Sequence, residues 1–297
     1  MGLRRMALLG LSAALIALLG AELYFRAAGA IDQPLYERND DYGYIPRANQ
    51  KGAHLNRYDW AFNELHMGVE IPFRATPDGV LLLGDSLLAG ERLTTQAQRV
   101  GPQVQALTGC PIWPVSAVSW GISNQIAYAM ATPQVRDLGT IVFVLNSNDF
   151  GPKSKPHRSH RYRKPISALR IWLRHWRAGR YKSDHRPNRV DIYAAGRPIP
   201  DDGGIWRERL AQLRASYGGR IVMVQYPSRS QLSEGREVFP DMAGLDGIEV
   251  VKMRDDPRWG DGNYRDWMHP NITGNGALAA IIADQLKPCP SPGDEVN

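Results

Sequence analysis

Ser86 sits in the stretch LLLGDSLLAG, Leu81 to Gly90, where Gly84 and Asp85 interrupt an apolar run and a hydroxyl follows. A serine hydroxyl attacks a carbonyl well only when a base takes its proton, so the residue needs a histidine with an orienting carboxylate. Of the seven histidines, His54 and His66 precede the apolar elements, and His157, His160, His175 and His185 fall in a basic segment. His269 alone lies near the last apolar elements, within DWMHPN, and Asp266 stands three residues before it. That spacing lets one short loop or helical turn present both side chains to one cleft. The carboxylate would hold the imidazole tautomer while the other ring nitrogen faces Ser86. Taken alone, D-x-x-H is as readily a surface loop, and the serine is what gives it weight.

Elements remote in sequence must bring these groups together. From Val80 the chain alternates. The apolar strand VLLLGD leads to a helical stretch near Thr95 to Thr108, then to strand PIWPVSAV and a helical stretch through Asn124 to Val135. Strand TIVFVLN follows, then the basic segment, a helix near Ile205 to Tyr217, strand RIVMVQY, a short strand IEVVKM and a helix from Thr273 to Leu286. Short, continuously apolar strands between amphipathic helices predict a parallel sheet covered on both faces. The fold class is therefore α/β, a doubly wound three-layer α/β/α domain with its functional groups at the carboxyl ends of strands.

With that order in hand, LLLGDSLLAG is similar to the first block of the GDSL, or SGNH, hydrolases, and DWMH resembles their last block, D-x-x-H. SAVSWGIS places Gly121 after the second strand, where the family has a loop glycine, and LNSND after the third strand resembles its G-x-N-D block. The resemblance covers Val80 to Leu286 and implies the flavodoxin-like SGNH fold. It also implies an oxyanion hole made by the Ser86 N–H, the Gly121 N–H and the Asn148 side-chain amide around an acyl-Ser86 reaction. One departure matters: Asn146 stands where the family usually has glycine, so Asn146 and Asn148 are both candidate donors, with Asn148 preferred. Asp85 and Asp149 read as turn residues that accept backbone N–H groups. Trp120, Trp267 and Met268 read as packing groups, and the sequon at Asn271 as incidental.

The 297-residue chain is 43% apolar, enough for a sizeable core. Arg4 and Arg5 precede a run from Met6 to Phe25 with a single charge, Glu22. Its length suits a bilayer span, and a cleaved signal peptide ending at AGA, Ala28 to Ala30, is the alternative. Either way Arg4 and Arg5 stay on the cytoplasmic side and everything after Arg26 is exported, and the retained anchor is preferred. The resulting division is an anchor or signal over 1–30, a lead-in over 31–78, the hydrolase-like domain over 79–288 and a tail over 289–297. Export makes a Cys110–Cys289 disulfide and two buried thiols equally open.

The net charge of +6 is uneven, because residues 151–200 carry fourteen Lys/Arg against two Asp. Within them Ile166, Leu169, Trp172, Leu173 and Trp176 repeat at helical spacing, with Arg170, Arg174 and Arg177 on another face. This reads as an amphipathic cationic helix that covers the domain, meets anionic lipid, or roofs the site and attracts an anionic glycan. Export sets nucleic acid aside as a partner. No cofactor or metal is expected, since no Cys/His cluster has ligand spacing. The Ala27 to Asp78 lead-in and the strands VSAVSW and VFVLNS resemble bacterial exported members of the SGNH family associated with polysaccharide modification. That resemblance implies O-acyl ester hydrolysis or acyl transfer, chiefly of acetyl groups, on a cell-envelope or exported polysaccharide at the inner membrane. Other envelope polysaccharide-assembly proteins are expected partners. Two further readings are a glycan-binding scaffold of such an assembly and a lipid esterase.

Overall fold

The computed structural model describes residues 2–90, 94–157, 160–177, 202–235, 239–287 and 289. The second half of the basic segment, His185 included, and the tail beyond 289 lie outside the described residues. Helix α1, Leu3–Ala27, is long and apolar enough to cross a membrane over Arg4–Ala27, and none of its most apolar stretch is buried against the rest of the chain.

The lead-in is more regular than its mixed composition suggests. It forms two antiparallel hairpins, β1 (Tyr36–Asn39) with β2 (Gly43–Pro46) and β3 (Gln50–His54) with β4 (Tyr58–Phe62). Leu55 and Asn56 turn the second hairpin with positive φ. Leu55 is an unusual residue there, which is why the turn leaves no familiar Asn-Gly signal.

Strands β5 (Val80–Gly84), β6 (Ile112–Ser116), β7 (Thr140–Leu145), β8 (Arg220–Gln225) and β9 (Ile248–Lys252) form one parallel sheet in the order β6-β5-β7-β8-β9. Relabelled by chain order, this is 2-1-3-4-5, whose switch point falls between β5 and its neighbours. Successive side chains of a strand point to opposite faces, and the core divides accordingly. Leu81, Leu83, Val115, Phe143 and Met223 pack with α4 (Ile122–Ala131), α6 (Ile205–Ser216) and the first hairpin. Leu82, Ile112, Val142 and Val224 pack with α2 (Ser86–Ala89), α3 (Val100–Thr108) and α8 (Ile272–Ala283). The three-layer α/β fold expected from the alternating pattern is thus present. A Cys110–Cys289 disulfide ties the lead into β6 to the chain beyond α8, and so joins two helices that already pack together.

Helix α5, Ala168–Arg177, does form in the basic segment, but the expected apolar stripe is not the buried one. Ala168, Ile171 and His175 are buried, whereas Ile166 precedes the helix at 94% exposure and Trp176 is exposed. The reason is what the helix packs against. Glu22 of α1 accepts hydrogen bonds from Ser167 Oγ at 2.8 Å, Ala168 N–H at 2.9 Å and Leu169 N–H at 3.0 Å. Phe25 stacks on Trp172 with centroids 4.4 Å apart, and the His175 ring meets that of His54 from the second hairpin. The contact face is set by α1 and the lead-in.

Candidate active site

Ser86 opens α2 directly after β5. The turn is sharp because Gly84 lets α2 fold back on the strand: a Cβ there would meet Leu88 side-chain carbons at 2.7 Å. Asp85 caps the helix, its carboxylate accepting the Leu87 N–H at 2.8 Å. Ser86 is left half-buried at the carboxyl edge of the sheet.

The loop before α8 supplies the other groups. It is pinched by a bridge between Tyr264 and Pro270 and by the Arg265 N–H donating to the His269 carbonyl at 2.9 Å. Below it Tyr226 Oη donates to the Met268 carbonyl at 2.6 Å, and the Arg229 N–H donates to that of Trp267 at 3.0 Å. Asn271 caps α8 through the Gly274 N–H, and its amide nitrogen donates to the Gly262 carbonyl. The sequon asparagine therefore holds the loop.

So positioned, His269 Nε2 lies 3.0 Å from Ser86 Oγ, and His269 Nδ1 lies 3.0 and 3.1 Å from the Asp266 carboxylate oxygens. An ionised carboxylate only accepts, so Nδ1 carries the proton and Nε2 is the acceptor for the Ser86 hydroxyl. Asp266 Oδ1 also accepts the N–H groups of Met268 at 2.9 Å and His269 at 2.8 Å. Burial alone would raise the Asp266 carboxyl, but the hydrogen bond and charge of His269 together with these backbone donors hold it well below the usual carboxylate range. Asp266 stays ionised.

The donors around Ser86 sort themselves differently from the sequence pattern. Asn146, at the end of β7, turns inward: its amide nitrogen donates to Asp149 Oδ2 at 3.0 Å and Asp85 Oδ2 at 3.3 Å, and its Oδ1 accepts the Asn148 N–H at 2.9 Å. Both amide protons are occupied, and the residue is 3% exposed. The Asn148 side chain is half-buried and, among the described residues, free of side-chain hydrogen bonds. Gly121 caps α4 with its own N–H donating to Asn124 Oδ1 at 3.2 Å. Its lack of a side chain answers a close approach, since a Cβ would sit 2.6 Å from the Asp149 carbonyl oxygen. The Gly121 N–H, expected to face a substrate, is directed at Asn124 instead. Trp120 is fully buried between Tyr42 and Tyr128.

Asp85 and Asp149 form a buried acidic pair that sequence reading treats as two separate turn residues. Burial pushes Asp85 up, against the Leu87 N–H and the field of His269. Asp149 is pushed well up by burial and then by Asp85 itself. Two carboxyls bridged by one amide cannot both ionise cheaply without water.

Comparison with known proteins adds a backdrop. No protein-family model and no curated protein matches the chain. Among solved structures, it is similar to a lipolytic protein of the G-D-S-L family from Veillonella parvula (13% identity, 69% of this chain and 96% of that one, TM-score 0.38). It is similar to a lipase/acylhydrolase from Enterococcus faecalis (12%, 71% and 98%, TM-score 0.43). It is also similar to an acetyl xylan esterase from Butyrivibrio proteoclasticus (13%, 74% and 66%, TM-score 0.38). At these identities and scores the likenesses carry no functional weight, and the chemistry has to be read from the geometry around Ser86.

Proposed function

We propose that the chain is a membrane-anchored, extracytoplasmic serine enzyme that takes acyl groups from O-esters through an acyl-Ser86 intermediate. The observation that carries this reading is the continuous hydrogen-bond chain from Ser86 Oγ through His269 to Asp266. In the first half-reaction His269 Nε2 takes the Ser86 proton as Oγ bonds to the ester carbonyl carbon. The tetrahedral oxyanion is met by the Ser86 N–H and the Asn148 amide, with the Gly121 N–H joining if it exchanges Asn124 for the substrate. The C–O bond then breaks, and His269 returns the proton to the leaving sugar oxygen. In the second half, water or an acceptor hydroxyl gives its proton to His269 and attacks the acyl-serine carbonyl. The bond from that carbon to Ser86 Oγ then breaks, and His269 returns the proton to Oγ, which regenerates Ser86. Asp266 holds the Nδ1 proton and stabilises the imidazolium in both halves.

Acetyl groups on a cell-envelope or exported polysaccharide are the proposed substrate, by the sequence resemblance. Hydrolysis and transfer differ in which acceptor reaches the acyl-enzyme. The anchor is proposed to be retained, because cleavage at Ala28 to Ala30 would remove structure that the folded body uses. Glu22 caps α5, Ala30 is fully buried, and the Ala27 and Gly29 carbonyls accept hydrogen bonds from Asn56 and Leu55 of the second hairpin. The bilayer and other envelope polysaccharide-assembly proteins are the proposed partners.

The test is active-site labelling of the detergent-solubilised chain with a serine-reactive phosphonate, beside turnover of an activated acetyl ester. The expected result is a single adduct on Ser86, with label and turnover both lost in Ser86→Ala. Absence of an adduct on Ser86 overturns the proposal. Adding oligosaccharide acceptors then separates transfer from hydrolysis.

A further inference from the structure

A cavity of about 260 Å³ opens where the lead-in meets the Ser86 turn. Its walls are aromatic, with Tyr36, Tyr58, Trp60 and Phe62 from the two hairpins. Ala89 and Gly90, the end of α2, also line it, so the cavity begins about one helical turn, some 5 Å of rise, from Ser86. Arg99 also lines it and packs its side chain along Gly90.

Arg99 is unusually placed for a cation. Its Nη1 donates to Gln96 Oε1 at 2.9 Å, yet its Nε is buried with no hydrogen-bond partner. No carboxylate lies within ion-pair distance of it among the described residues. Asp59 is the acid nearest in effect, and its Oδ1 already accepts the Gln96 N–H. Burial lowers the guanidinium to about 10, which still leaves it charged at neutral pH. Trp60, 6% exposed, likewise has a buried indole N–H with no partner. Both atoms are shut off from solvent, so it is the half-buried Arg99 side chain, charged and lining the cavity without an ion pair among the described residues, that points to an acidic occupant.

We propose that this cavity is a subsite for a carboxylate-bearing sugar ring, a hexuronate, of the acyl acceptor or donor glycan. Aromatic walls stack on the C–H faces of a sugar ring, and the guanidinium takes its carboxylate. The volume, just below the usual 300–1,000 Å³ of small-molecule sites, suits one ring. An acyl chain is the competing occupant of an aromatic cavity, but it would set an apolar ligand against the Arg99 charge. The subsite rests on the acyl-Ser86 reading only for its role, since binding is measurable without turnover.

The experiment is calorimetry on full-length Ser86→Ala in detergent, titrated with glucuronate, galacturonate and mannuronate and with the matching neutral hexoses. At least one hexuronate is expected to bind at least tenfold more tightly than its neutral counterpart. Arg99→Met is expected to erase that preference and Arg99→Lys to restore part of it, with thermal melting confirming that each variant is folded. Binding of no hexuronate, or equal binding of acidic and neutral sugars, overturns the proposal. So does an activated-ester rate in the unsubstituted chain that climbs with acyl length and falls in Trp60→Ala, because the cavity then holds the acyl chain. Loss of phosphonate labelling at Ser86 would instead count against the enzyme reading and leave these titrations intact.

Discussion

Replacing Asp266 with asparagine tests the proton path without disturbing the loop. Asp266 Oδ1 is pinned by the Met268 and His269 N–H groups at 2.9 and 2.8 Å, and an asparagine keeps its carbonyl oxygen there because its amide nitrogen cannot accept those donors. The amide nitrogen is then forced into the Oδ2 position, 3.0 Å from His269 Nδ1. The retained carbonyl oxygen lies 3.1 Å from the same Nδ1, so the ring can keep its proton there only by leaving the nearer amide N–H without this acceptor, and the donor favours moving the ring proton to Nε2. With Nε2 protonated, the imidazole faces Ser86 Oγ, 3.0 Å away, as a donor and cannot take its proton. The expected loss in kcat is about 1,000- to 10,000-fold, or about 4–5.5 kcal/mol of barrier, the size seen when a triad histidine is held in the wrong tautomer. The two backbone hydrogen bonds survive, but the charge that His269 and Arg265 stabilise is lost, so stability should fall by about 1–3 kcal/mol. Asp266→Ala is the less informative change, since it removes both backbone acceptors and loosens the loop as well. The assay is activated-ester turnover combined with 15N shifts of the His269 ring. Retention of a tenth or more of kcat, or a ring proton still on Nδ1, would refute the reasoning.

Three further expectations follow from neighbouring contacts. Asn148→Ala should lower kcat by about 100- to 1,000-fold with KM little changed, because a preorganised oxyanion donor is worth about 3 kcal/mol; steady-state kinetics showing parallel losses in binding would contradict the role. Replacing both cysteines with serine opens a loop of 179 residues' separation. The chain-entropy estimate puts the loss at up to about 5 kcal/mol, read from urea midpoints against the oxidised protein. Asp149 has a folded pKa raised above its ordinary 3.8, so its contribution to stability is full below that value and is lost as pH rises through the folded one. Asp149→Asn should remove this fall, so that unfolding free energies measured upward from about pH 4 decline less than the unsubstituted chain's, which loses up to about 1.4 kcal/mol per pH unit for one proton.

The sheet was readable because each buried strand is a short apolar run and each run is followed by a helix of the right period. The positions of Ser86 and the Asp266/His269 pair could be placed at strand ends by the same reading, and the fold brings these three to hydrogen-bond distance. What escaped was set by contacts between distant segments. The two hairpins of the lead-in carry little apolar alternation, because one face of each is held by hydrogen bonds and aromatic contacts to residues far along the chain, such as Tyr36 N–H to the Arg161 carbonyl and Tyr44 Oη to that of Val118. The buried face of α5 could not be seen in its own periodicity either, since Glu22 and Phe25 of α1 choose it. The disulfide was undecidable from composition, as two cysteines 179 positions apart say nothing about the packing of α3 on α8.

The departure at Asn146 gains meaning only when the turns after β5 and β7 are considered together. A glycine there would leave Asp85 Oδ2 and Asp149 Oδ2 facing each other without a bridging donor. The asparagine amide donates to both, its Oδ1 accepts the Asn148 N–H, and its own N–H donates to Asp149 at 2.8 Å. One side chain thus fastens the turn that carries Ser86 to the turn that carries Asn148, across a sheet edge where no strand hydrogen bond runs between them. The fastening depends on how the acidic pair is charged: a proton on Asp149 relieves the repulsion with Asp85, and ionisation of both restores it. Removing the amide with Asn146→Ala should therefore cost stability, by about 1–3 kcal/mol for the orphaned acceptors, and should blur the registration of nucleophile and oxyanion donor at the same time. The two asparagines that the sequence left as alternatives divide by direction: Asn146 faces the buried acids and Asn148 carries the amide that remains unengaged, which supports the oxyanion role proposed for it.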